Sequence, residues 1–216
     1  VRISPVLAYK FGQRTANAAL QAMGAVAAHQ QELDKGRLRG YLYKQLETLF
    51  MLEDIMQADT VYARPESFFL PQLQVAGARA SNGFFFAAKG GHNDESHNHN
   101  DIGNFIVYYN NQPLLVDAGV GSYTARTFSP ERYDIWTMRS EYHNLPTING
   151  YEQSPGEQYA AKNVLFKAGN KEAVFSLDIA GAYPPEAGVQ KWDRKLILKR
   201  SGAFQLVDNY ALKSVT

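Results

Sequence analysis

From Phe68 onward the apolar stretches are short and rich in β-branched and aromatic residues, and no segment of helical period separates them. A chain of that pattern cannot build alternating βα units around a parallel sheet. It points to antiparallel sheets stacked as a sandwich. Strands are expected at 72–76, 83–89, 104–109, 113–117, 163–168, 173–179, 195–199 and 204–209. Asn110-Asn111 lies between two of these runs and is a two-residue hairpin signal. Gly169-Asn170 reads the same way for a second pair.

The beginning of the chain has a different character. Ala16, Ala18, Ala19, Ala22, Ala25, Ala27 and Ala28 give residues 6 to about 57 a high helix propensity. Thr15 or Asn17 can cap a helix start, and Gly36 can end the first helix after Lys35. A second helix is expected from Leu38 to Met56, with Leu46, Leu49, Phe50 and Ile55 at helical spacing. The short interval at residues 34–36 implies that the two pack antiparallel. The expected fold class is therefore mainly β with an N-terminal helical pair: helices over 1–60, then a stacked antiparallel β-sandwich over 61–216.

Several function classes drop out on composition. The 216 residues carry a net charge of +1, which gives no electrostatic reason to expect nucleic acid or an anionic membrane as partner. No apolar run approaches the ~18 residues of a membrane span. With no cysteine, disulfide scaffolds and thiolate metal sites are excluded. Val1 is not a start methionine, the first residues do not read as a secretory signal, and the last strand run ends without a closing element. The chain reads as a piece of a longer protein.

Four of the five histidines lie between residues 92 and 143. The densest stretch is His92-Asn93-Asp94-Glu95-Ser96-His97-Asn98-His99-Asn100-Asp101, ten polar residues between two expected strands. One reading is a solvated loop. A second is a metal site, because histidine with carboxylate is the usual ligand set for zinc or non-haem iron when cysteine is absent. Asp117 ends an apolar strand, where a carboxylate is costly unless paired. With Asn110-Asn111 as a two-residue turn, Tyr109 faces Gln112 and Asn104 faces Asp117. His99 then lies five residues before the partner of Asp117, ~17 Å away along a straight strand. A shared ion requires residues 97–101 to curl back over the sheet, which Gly103 and the asparagines permit. His99, Asp101 and His143 also match the two-histidine, one-carboxylate pattern of non-haem iron oxygenases, although no arginine follows His143 until Arg194. A nucleophile elbow and a phosphate-binding glycine loop are both missing.

The run Gly83-Phe84-Phe85-Phe86-Ala87-Ala88-Lys89-Gly90-Gly91-His92-Asn93, with Ser96-His97-Asn98-His99-Asn100-Asp101-Ile102-Gly103-Asn104-Phe105, closely resembles the heparinase II/III-like domain of polysaccharide lyases. Asp117-Ala118-Gly119 and Tyr142-His143-Asn144 continue the match in order, over roughly residues 60–210. The resemblance implies that the N-terminal helices are the last of an α/α toroid. It implies that His97 points into a substrate cleft, and that His99, Asp117 and His143 hold a zinc that is mainly structural. Tyr133 matches loosely a cleft tyrosine of some members. The implied chemistry is β-elimination on an acidic, uronic-acid polysaccharide of heparin, heparan sulfate or alginate type, in a periplasmic or secreted bacterial protein. Such enzymes draw further catalytic groups from the toroid. The helical part here shows no match to them, so this chain by itself is expected to be a poor catalyst. A zinc-stabilised binding module without turnover is the alternative.

Overall fold

The computed structural model describes residues 4–36 and 41–214. The chain forms two compact units, Val1–Pro65 and Glu66–Thr216.

The first unit holds three helices: α1 (Pro5–Arg14), α2 (Ala18–Gln30) and α3 (Leu42–Gln57). The helical stretch expected from residue 6 divides into α1 and α2, and Asn17, one of the two expected caps, starts α2. Ala16 takes a left-handed conformation (φ 50°), and the Asn17 side chain accepts a hydrogen bond from the Leu20 N–H at 3.0 Å. The side-chain cap outcompetes continuation of the alanine-rich helix at that point. Gly36, at φ 71°, closes the turn Leu33–Lys35 as expected. The expected start of the next helix at Leu38 lies outside the described residues. Tyr9, Ala25, Ala28, Leu33 and Ile55 form the small core of this unit. Close approach of α1 and α2 depends on Gly24, where a Cβ would lie 2.7 Å from the Tyr9 nitrogen and 2.8 Å from the Pro5 carbonyl.

The second unit is antiparallel throughout its named strands. Five strands form one sheet in the order β1-β2-β3-β5-β6: β1 (Ser67–Leu70), β2 (Val75–Arg79), β3 (Phe84–Lys89), β5 (Phe105–Tyr109) and β6 (Gln112–Leu115). Four form a second sheet in the order β11-β10-β9-β8: β8 (Lys162–Ala168), β9 (Glu172–Asp178), β10 (Val189–Lys199) and β11 (Ala203–Leu212). A ribbon of β4 (His92–Asn93) and β7 (Gly156–Ala160) completes the set.

Alternation decides the faces. On β9, Ala173, Phe175 and Leu177 are buried while their neighbours in sequence are not. On β10, Trp192, Arg194, Leu196 and Leu198 are buried. The apolar ones among them join Ala76, Ala78, Phe86, Phe105 and Val107 of the other sheet in one core. Aromatic pairs cross between the sheets, with ring centroids 6.4 Å apart for Phe69–Phe175, 5.7 Å for Phe86–Phe204 and 5.6 Å for Phe105–Phe204.

The expected strands lie close to the observed ones, with instructive departures. The run at 72–76 begins instead at Val75, because residues 71–74 form a turn with Gln74 at φ 50°. Strands β1, β4 and β7 have too little apolar alternation to be read from sequence. Asn110 and Asn111 do form the hairpin turn, both with positive φ (48° and 61°), and Tyr109 pairs with Gln112. A bulge then shifts the register by one, so that Val107 pairs with Leu115.

Phe175 is fully buried at the centre of the core. Phe175→Ala is expected to lower unfolding free energy by about 3–5 kcal/mol, read as a reduced urea midpoint at unchanged slope. An unchanged midpoint would contradict the sandwich core described above.

Candidate functional site

The polar block is not a solvated loop. Asn93, His99, Asn100 and Asn104 are all buried. After β4 the chain turns sharply, with His97 in a left-handed conformation (φ 60°). The backbone then returns to β3: the Gly103 N–H donates to the Lys89 carbonyl at 2.9 Å, and the Lys89 N–H donates to the Asn104 carbonyl at 3.1 Å. Gly103 makes this return at φ +84°, and a Cβ there would meet Ile179 at 2.7 Å. This is the curl that a shared site at residues 97–101 requires.

Buried amides hold the loop in place. Gln153 accepts from the Ile102 N–H at 3.0 Å and donates to the Ile102 carbonyl at 2.8 Å. It also accepts from the Asn93 amide at 3.3 Å. The Asn100 N–H donates to the Met138 carbonyl at 3.0 Å. Asn144 clamps the start of β5 to the segment after β6, donating to the carbonyls of Phe105 (2.8 Å) and Val116 (3.0 Å).

His99, Asp117 and His143 come together. The imidazoles of His99 and His143 lie with ring centroids 5.3 Å apart. Asp117 Oδ2 sits 2.6 Å from His143 Nδ1 and accepts from the Asn104 amide at 2.5 Å. Its Oδ1 accepts from the Gly119 N–H at 2.6 Å. Burial pushes the Asp117 carboxyl up, but hydrogen bonds from His143, Gly119 and Asn104 outweigh it and hold the pKa down at about 2. Burial likewise holds His99 below the ordinary histidine range, opposed by the nearby charge of Asp101. His99 is thus kept neutral, the state in which imidazole ligates a metal.

Two nitrogens and a carboxylate are a zinc donor set, and the buried His143 Nε2 has no hydrogen-bond partner among the described residues. The spacing is that of a hydrogen-bonded pair beside a third side chain. The 2.6 Å contact joins Asp117 to His143 Nδ1 and leaves Nε2 free. Among the described residues no three such side chains are spaced to hold an ion as they stand. The donor types fit zinc, and His143 Nε2 is the ring nitrogen left free to ligate it. Asp101, the carboxylate of the iron alternative, is instead engaged by Lys89 Nζ at 2.7 Å.

His97 parts from His99. Its side chain is exposed, and its ring stands edge-on to Phe128 (centroids 5.6 Å apart) and Tyr123 (5.9 Å). Those two rings are themselves stacked at 5.7 Å. Tyr133 lies on the short turn Pro130–Asp134 and is half-buried, which raises its pKa. It hydrogen-bonds with Asn98, between the two histidines. Its neighbour Arg132 donates to the carbonyls of Asn98 and Thr127, the latter at 2.7 Å.

Sequence reasoning missed Arg194 as a member of this region. Only 3% exposed, it pairs with Asp208 through Nε (2.9 Å) and Nη2 (2.7 Å), and Nη1 donates to the carbonyls of Gly103 (3.1 Å) and Asn144 (2.8 Å). One guanidinium therefore ties β10 and β11 to the loop after His99 and to the residue after His143. The available signal was an arginine at an inward position of an apolar strand.

An antiparallel sandwich that carries a histidine–aspartate cluster on curled loops defines the class. The family model described as Heparinase II/III-like, C-terminal, matches residues 63–211, and the chain belongs to that family. Among solved structures, the heparan sulfate lyase HepC from Pedobacter heparinus aligns over 99% of this chain and 38% of its own, at 14% identity and TM-score 0.56. A heparinase III crystal structure aligns over 80% of this chain and 28% of its own, at 18% identity and TM-score 0.54. At these identities the likeness is one of fold. The chain spans little more than a third of the length of HepC and less of heparinase III. No curated protein matches it.

Removing a buried cation while its partners stay buried costs about 3–5 kcal/mol. Arg194→Leu is expected to destabilise the chain by that amount in urea unfolding, and to speed amide exchange at residues 103–105. A change below about 1 kcal/mol would show that the pair contributes no more than a surface contact.

Proposed function

We propose that this chain is the sandwich portion of a polysaccharide lyase that cleaves uronic-acid glycans of heparan sulfate or alginate type by β-elimination. The observation that carries the reading is the separation of His97 from His99. Two residues apart, one imidazole is exposed and the other is 7% exposed against His143.

β-Elimination needs three things at the sugar. The charge on the C6 carboxylate must be offset, the proton at C5 removed, and the leaving glycosidic oxygen protonated. His97 is the proposed proton-transfer group, and its exposed imidazole on the loop supports that role. Around it Tyr123 and Phe128 are exposed, as are Trp136 and Tyr142 nearby in sequence. Such ring faces pack against the C–H faces of sugars. Tyr133 is a second group in reach of the same loop, through Asn98. The remaining catalytic groups would come from a second wall of the cleft in a longer protein.

His99, Asp117 and His143 would hold a zinc. Its contribution there is to fix the loops that carry His97, since bound metal contributes to folding free energy. The iron reading is disfavoured by the engagement of Asp101 with Lys89.

His97→Ala is expected to leave zinc content and melting temperature nearly unchanged, while lowering turnover of the complete enzyme by ~10²-fold or more. His99→Ala is expected to release the metal and lower the melting temperature. The 216-residue chain alone should release little unsaturated uronate, followed by ultraviolet absorbance. Full activity of the His97 variant in the complete enzyme would overturn the catalytic assignment. Metal lost from the His97 variant but kept by the His99 variant would reverse the two roles.

A further inference from the structure

The outer face of the second sheet holds a cleft of about 740 Å³ that shares no residue with the histidine cluster. Its lining includes Leu165 and Lys167 of β8, Ser176 of β9, Lys195 of β10, and Lys171 with Glu172 at the β8–β9 turn. The register explains the grouping. Leu165, Ser176 and Lys195 lie in one row across the three strands, and Lys167 lies in the row of Val174, two residues along β8. All of these point away from the core that Phe166, Phe175 and Leu196 enter from the other face.

Three cations meet one carboxylate in this cleft. Among the described residues, none of Lys167, Lys171 and Lys195 makes an ion pair. Glu172 stands opposite Lys199 in the β9–β10 register, beside a cation outside the group of three. Three lysines left unneutralised around a concave surface favour an anionic ligand. Two strand spacings and two residues of rise place the Lys167 and Lys195 backbones ~12 Å apart. A strand with charges repeated along its length spans that separation. The cleft offers a hydroxyl from Ser176 and aliphatic side chains from Leu165 and Val174, and no aromatic ring lines it. The lack of a stacking platform disfavours single-stranded nucleic acid.

We infer that this cleft is a second glycan-binding site, which holds an extended carboxylate- or sulfate-bearing polysaccharide strand on residues separate from the histidine cluster. The choice of polysaccharide as the anionic chain rests on the lyase reading above. The site would tether a long substrate while another stretch of the same strand is cut, and linked contacts of this kind raise avidity without tightening either one.

The test is calorimetric titration of the 216-residue chain with a long heparan sulfate or alginate oligosaccharide, at several salt concentrations. Lys167→Ala/Lys171→Ala/Lys195→Ala is expected to weaken binding by about tenfold and to flatten its salt dependence. A charge-matched control (Lys35→Ala/Lys44→Ala/Arg64→Ala) should bind as the parent does. The corresponding disaccharide should bind far more weakly than the long strand. The inference is overturned if the parent does not bind, if the triple lysine variant binds as the parent does, or if the control loses as much. Equal or tighter binding of a single-stranded oligonucleotide would reassign the cleft to nucleic acid and overturn it as well. Failure of the lyase reading has a different signature: the complete enzyme releases no unsaturated uronate while oligosaccharide binding persists.

Discussion

The buried guanidinium of Arg194 is the contact on which the site depends. It comes from an inward position of β10, is neutralised in bidentate fashion by Asp208, and spends its remaining donor on the carbonyls of Gly103 and Asn144. A charge in that position is tolerated only because each bond is made. The consequence is geometric. The loop that carries His99 and the residue that follows His143 are both fixed to the rigid second sheet, so two segments distant in sequence present their imidazoles to each other.

The same region shows how asparagine serves a loop that must be buried. A loop inside a protein exposes backbone groups that water cannot reach. Asn100, Asn144 and Gln153 supply side-chain amides to those groups, and Asn104 supplies one oxygen to the Asn144 N–H and one amide to Asp117. The polar composition of residues 92–104 is therefore the material of a buried network. His97 stands outside that network, edge-on to the rings of Tyr123 and Phe128.

The two sides of the second sheet divide the labour. Its inner face supplies Phe175, Leu196 and Leu198 to the core and Arg194 to the loops. Its outer face carries exposed lysines in a register set by the inner one, since side chains alternate with a period of two. A one-residue slip would exchange core and cleft together.

Much of the architecture was legible in the sequence. Short β-branched and aromatic runs without a helix between them gave the antiparallel strands, and Asn110-Asn111 gave a hairpin that the two positive φ angles bear out. These are local properties, set by alternation and by which residues tolerate a left-handed backbone. The cap at Asn17 was likewise a local signal and does start α2, whereas the separate helix α1 before it was not read. The proximity of His99, Asp117 and His143 lies between these cases. Their residue types pointed to a shared site, but spacing along the hairpin put two of them ~17 Å apart on straight strands. Bringing them together took the left-handed turn at Gly103, the bulge between Val107 and Tyr108, and an arginine ninety-one residues beyond Gly103. The sequence by itself determined the strands, the hairpin and the chemical types available to a site, because each depends on near neighbours in the chain. Which histidine is buried, what Asp117 pairs with, and which lysines share a cleft were decided by tertiary structure alone, because each is a matter of distance between segments that only packing can set.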